Sequence, residues 1–108
     1  MPTIYFTSNQ QFGRPSAIRD FARPFETVEE MNQSLINSWN STVKLDDIVY
    51  VLGNFAWDPT TAEDVIKKLN GTIIFVQGEH DSAIVDLSKR KVMPHHAALI
   101  EPLFSSSA

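Results

Sequence analysis

Cysteine is absent from the 108 residues, which excludes disulfides, thiol catalysis and thiolate metal sites and is compatible with a reducing compartment. Basic charge is scarce. Nine Lys and Arg stand against thirteen Asp and Glu, a net charge of -4, so the basic face that broad nucleic-acid binding needs is missing. Binding to a basic partner surface remains open to such a chain. No apolar run approaches the length of a membrane span, and the N-terminus shows no basic region followed by an apolar one. A cytoplasmic protein is expected. The two glycosylation-like triplets, Asn40-Ser41-Thr42 and Asn70-Gly71-Thr72, are then chance matches. Glycine is sparse, and three of the four, Gly13, Gly53 and Gly78, fall in the polar stretches into which apolar runs lead.

Those runs carry the organisation. Ile48-Val49-Tyr50-Val51-Leu52 is a near-continuous apolar stretch, suited to a parallel strand covered on both faces, and Gly53-Asn54-Phe55 turns sharply at its end. Thr3 to Thr7, leading into Asn9-Gln10-Gln11-Phe12-Gly13, and Thr72 to Gln77, leading into Gly78-Glu79-His80-Asp81, share the design. In open α/β sheets ligands sit beyond the carboxyl ends of the strands, so three polar tips are expected at one edge of one sheet.

Between the strands lie helices. Thr27-Val28-Glu29-Glu30 is a capping-box pattern, and Val28, Met31, Leu35, Ile36 and Trp39 form one stripe of a helix over about residues 28–40. Trp39 reads as core. Asp58-Pro59-Thr60-Thr61 opens a second helix, with Thr61 and Asp64 as a weaker capping box and Ala62, Val65, Ile66 and Leu69 inside; Asn70-Gly71 stops it. Residues 13–25 read as a loop with one helical turn, Ser82 to Leu87 as one or two turns, and Ala97 to Ile100 as a short final strand. The β-α-β-α-β alternation predicts an α/β fold with parallel strands and right-handed crossovers. One domain is expected over residues 1–104, with 105–108 a disordered tail.

Taken in order, Ile4-Tyr5-Phe6-Thr7-Ser8, Phe12-Gly13, Arg23-Pro24-Phe25, Glu29-Glu30-Met31-Asn32, Trp39-Asn40, Asp46 to Gly53, Leu69-Asn70-Gly71, Gly78 and His80-Asp81 resemble the calcineurin-like metallophosphoesterases, most nearly their small bacterial and phage members. The resemblance spans residues 3–81 and implies the N-terminal half of a two-sheet sandwich. In that family the three strand ends carry Asp-x-His, Gly-Asp and Gly-Asn-His-Asp, which with later histidines hold two metal ions that generate hydroxide and stabilise phosphoryl oxygens. Here Asn9 and Gln11 stand at the first motif, Asn54 at the bridging Asp, and Glu79 at the Asn; only His80 and Asp81 match. A neutral amide offers one weak oxygen where a carboxylate bridges two cations. His95-His96, adjacent in sequence, project to different sides in a strand and do not readily chelate one ion.

The resemblance thus implies a pseudo-phosphoesterase without metal or other cofactor: a protein-binding inhibitor or adaptor, of phage type directed at host machinery. Its partner would be heterologous, with Phe12, Arg14, Phe25, Phe55 and Trp57 as contact candidates. A half-sandwich also exposes the inner face of its sheet, implying a homodimer or a tight complex. Two alternatives stand beside this reading. One is a divergent phosphodiesterase using Mn or Fe/Zn at Glu79, His80 and Asp81, with Asp58 or Asp20 approaching. The other is a module that holds an anion or nucleotide near Gly13, Arg14 and Gly78.

Overall fold

The computed structural model describes residues 2–8, 10–14, 16–20, 23–76 and 82–100, with Asp20 described in its backbone alone. Eight elements follow one another: β1 (Ile4–Thr7), α1 (Ser16–Asp20), α2 (Val28–Thr42), β2 (Ile48–Val51), α3 (Pro59–Lys68), β3 (Thr72–Val76), α4 (Ser82–Lys89) and β4 (Ala97–Ile100). The strands form one sheet in the order β1-β2-β3-β4, and every pair is parallel. The α/β class and the parallel strands expected from the sequence are present, and a fourth strand extends them. No described helix is long and apolar enough to cross a membrane.

Local chemistry explains the boundaries. Thr27 is extended and its hydroxyl accepts from the Glu30 amide at 3.1 Å, satisfying one of the free donors of the first turn of α2. The α3 cap is Asp58 rather than Thr61. Its carboxylate accepts from the Thr61 amide and hydroxyl, both at 2.8 Å, and Pro59 takes the first helical position, where its missing N–H costs nothing. The C-terminal ends of α2 and α3 are clasped together by two asparagines. Asn40 donates to the Lys68 carbonyl and accepts from the Asn70 amide, while Asn70 donates from its side chain to the Val43 carbonyl. The indole N–H of Trp39 donates to the Asn70 carbonyl at 3.0 Å.

The core lies on one face of the sheet. Val49, Val51, Ile73 and Phe75 are buried against Ile36, Trp39 and Val43 around α2, Val65 and Ile66 of α3, and Ile84 and Leu87 of α4. The alternate residues face the other way. Ile4 and Phe6 are 56% and 68% exposed, Ile100 is exposed, and Ile48, Tyr50, Ile74 and Val76 are only half-buried. Expecting β2 to be covered on both faces was therefore wrong for this layer. Right-handed crossovers that always step in the same direction put their helices on one side.

At the amino ends of the strands Asp47 binds three of them together. It is buried, its carboxylate accepts from the Thr3 and Lys44 amides at 2.8 Å each, and its carbonyl accepts from the Thr72 amide at 2.9 Å. The two amide donors hold its pKa below the usual 3.8. The folded state thus binds this proton more weakly than the unfolded chain, so the contribution to stability is complete above the usual value and is lost as pH falls through the lowered one. Between about pH 5 and pH 3 the urea midpoint of the wild-type chain should fall more steeply than that of Asp47→Asn. Gly71, at φ +90°, leaves no room for a methyl group, which would stand 2.9 Å from a Val43 methyl and 3.0 Å from the Asp47 carbonyl oxygen. Gly71→Ala should cost about 1–3 kcal/mol in urea denaturation.

Candidate functional site

Beyond their carboxyl ends, β1 and β2 continue as two loops that pair with each other. The Leu52 amide donates to the Thr7 carbonyl, Gln11 to Asn54 at 3.0 Å, Phe12 to Phe55 at 2.9 Å, and Trp57 back to Phe12 at 2.8 Å. Gln11 and Asn54 face one another across this pairing, and both are left-handed, at φ 60° and 55°. Asn tolerates that region; Gln enters it less readily. Such strain persists where the surrounding structure over-determines it, as at binding and catalytic corners. Gly13 follows at φ +75°, donating to the Asn32 side chain at 3.0 Å, with Thr61 close enough to block a methyl group.

Two expected contact residues take another role here. Phe12 and Phe55 are 0% exposed. Their rings pack 5.0 Å apart, and Phe55 meets Phe75 edge-on at 4.8 Å. This aromatic ladder closes the core beneath the loops, so neither ring reaches a partner. Their location on loops suggested exposure, but the loop pairing turns both inward. Phe25 is half-buried, and Trp57 is 61% exposed.

Above the ladder sits Arg14. Its guanidinium lies 5.5 Å from the Trp57 ring centroid, donates to the Gln11 side-chain oxygen at 3.0 Å and to the Ser16 hydroxyl at 2.9 Å. Three of the sequence candidates, Gln11, Arg14 and Trp57, are thus brought into one contact, with Asn54 joined to it through the backbone. Arg23 is a structural residue that pattern reasoning left without a role. Its guanidinium donates to the Gln10 carbonyl at 2.7 Å and lies 3.2 Å from the Met31 sulfur; burial lowers its pKa without discharging it. Asn9, Gly78, Glu79, His80 and Asp81 lie outside the described residues, as do the side chain of Asp20 and the expected tail at 105–108.

Asp58 is engaged as the α3 cap, and among the described residues no group of three or more His, Cys, Asp or Glu could hold a metal ion. His96 donates from Nε2 to the Ile66 carbonyl at 2.9 Å, and the His95 ring stands edge-on to it at 5.6 Å. Among the described residues, concavities border the sheet and its helices, two of which bear on the corner. One of about 420 Å³ runs between α2 and α3, lined by Gly13, Asn32, Thr61 and Lys68. The other, about 330 Å³, lies beside the free edge of β1, lined by Tyr5, Leu35, Trp39 and Val43. The Gln10 side-chain oxygen, which also borders the second, is buried without a hydrogen-bond partner.

Core and rim should separate cleanly in urea denaturation. Phe55→Ala removes a ring packed on two others and should cost about 3–5 kcal/mol. Trp57→Ala removes an exposed ring whose stacking on Arg14 is worth at most about 1 kcal/mol.

No family model matches the chain. It is 40% identical over 84 residues to the uncharacterized protein MJ1445 of Methanocaldococcus jannaschii, an alignment covering 75% of this chain and 48% of that protein. Among solved structures, the protein of unknown function AQ665 from Aquifex aeolicus aligns with 97% of this chain and 54% of its own, at a TM-score of 0.70 and 19% identity. That likeness shows the fold, an α/β layer, and the chain spans about half the length of each protein it matches.

Proposed function

We propose that this chain is a non-catalytic binding module, a phosphoesterase-like layer whose former metal corner has become a contact surface for a heterologous protein, in the manner of an inhibitor or adaptor. One observation carries the reading. The side-chain oxygen of Gln11, the only atom of that amide able to ligate a cation, accepts from the Arg14 guanidinium at 3.0 Å. On the resemblance, Gln11 stands at a metal-binding histidine and Asn54 at the bridging carboxylate. An arginine only donates, so the Gln11 oxygen that it engages is withdrawn from cation binding. The exchange of carboxylate for amide removes attraction, and the contact with Arg14 occupies the one ligating atom that the amide at Gln11 keeps.

The same arginine suits recognition. Trp and Arg are the residue types that most often anchor protein interfaces, and here an exposed Trp57 stacks on a half-buried Arg14 at a corner made rigid by the Phe12–Phe55–Phe75 ladder. With a net charge of -4, the remaining surface favours a basic partner around that anchor.

Metal titration and turnover test the reading together. Purified protein should hold no stoichiometric Mn, Fe or Zn. Hydrolysis of a generic phosphodiester with Mn²⁺ should not exceed the blank, and His80→Ala should change nothing. Gln11→His combined with Asn54→Asp should still fail to bind Mn²⁺ until Arg14→Ala is added. Stoichiometric metal in the wild-type chain, with turnover that His80→Ala abolishes, would instead establish a divergent phosphodiesterase.

A further inference from the structure

The bare face of the sheet is the largest feature that the loop corner leaves unused. Ile4, Phe6, Ile48, Tyr50, Ile74 and Ile100 share it by register, Leu52 continues it past β2, and no charged residue of the strands lies on it. Phe6 and Tyr50 stack there, rings 5.2 Å apart and 16° from parallel, with Phe6 two-thirds exposed. Among the described residues no helix packs against it. Soluble proteins seldom leave an apolar surface of this extent open, and where they do it marks an interaction site.

We propose that a second copy of this chain covers the face, two identical four-stranded layers closing into a sandwich with the helices outside. Two observations favour this occupant. The first is area: four strands about 4.8 Å apart with large side chains offer roughly 600 Å² per copy. Two copies then bury about 1,200 Å², which reaches the range of stable interfaces. The second is charge. An isologous contact sets the same patch against itself, and a patch without charge meets no like-charge repulsion, whatever net charge each copy carries. Sheet faces pack about 10 Å apart with strands roughly 30° from aligned, a geometry in which Phe6 and Tyr50 reach the opposing sheet. The proposal stands independently of the reading of Gln11 and Arg14.

Light scattering coupled to size exclusion tests it. At about 50 µM, well above a micromolar dissociation constant, the wild-type chain should show twice the 12.2 kDa of one copy. Phe6→Glu and Tyr50→Glu, each placing a charge on the face, should show the mass of one copy and bind the apolar dye ANS, which the dimer should not. Leu45→Glu, exposed in the turn before β2 and off the face, should remain dimeric. Circular dichroism checks that each variant is folded. Phe6→Ser, which adds no charge, supplies a gentler second variant that should weaken dimerisation at least tenfold. A monomeric wild-type chain would overturn the proposal. A dimer that persists in folded Phe6→Glu and Tyr50→Glu would overturn it by placing the contact elsewhere.

Discussion

The handedness of the parallel crossover governs this molecule. A strand, helix and parallel strand connect in a right-handed sense almost without exception. Doubly wound sheets reverse direction once, and that reversal is what lays helices on both faces. Here the order β1-β2-β3-β4 never reverses. Every crossover therefore deposits its helix on the same side, the core forms there, and among the described residues no helix covers the opposite face, however apolar it is. The exposure of Phe6 and the burial of Val51 are two results of one topological rule.

The two ends of the sheet are held by different means. At the amino ends a single carboxylate, Asp47, gathers backbone donors from the start of β1 and the preceding turn, while its own carbonyl receives β3. At the carboxyl ends the work is done by rings, with Phe12, Phe55 and Phe75 packed in series under loops that pair through their backbones. The polar end fixes register and the aromatic end fixes the loops. That is why two left-handed residues can sit side by side at Gln11 and Asn54 without the corner relaxing.

Periodicity and capping made much of the fold legible in advance. Thr27 caps α2 as its spacing with Glu30 suggested, and the short strand from Ala97 to Ile100 lies where two prolines bracket it. Where two candidate caps competed, Asp58 prevailed over Thr61 because Pro59 fits only at the first helical position. The site was less legible. Phe12 and Phe55 look like loop aromatics until the loops are paired, since inward rotation depends on hydrogen bonds between segments more than forty residues apart. Arg14 lies three residues from Gln11, yet nothing in that spacing outside a helix says that the guanidinium will meet the amide. The strand order, which decides whether a face is bare, is likewise a property of the whole chain rather than of any window in it.

The asparagine clasp between α2 and α3 also has a chemical meaning. Asn70 precedes Gly71, and an asparagine followed by glycine is the dipeptide in which the next backbone nitrogen most readily attacks the side-chain carbonyl and expels ammonia. In the folded chain that side chain is tethered to the Val43 carbonyl, while the Asn70 backbone is held from both sides by Asn40 and Trp39. Those hydrogen bonds restrict the rotations by which the side-chain carbonyl carbon reaches the Gly71 nitrogen. Unfolding releases it, and the product, an acidic residue in a lengthened backbone, no longer supplies the side-chain donor that reached the Val43 carbonyl. The folded state therefore protects its own covalent integrity at this position, and each excursion from it risks an irreversible ageing step.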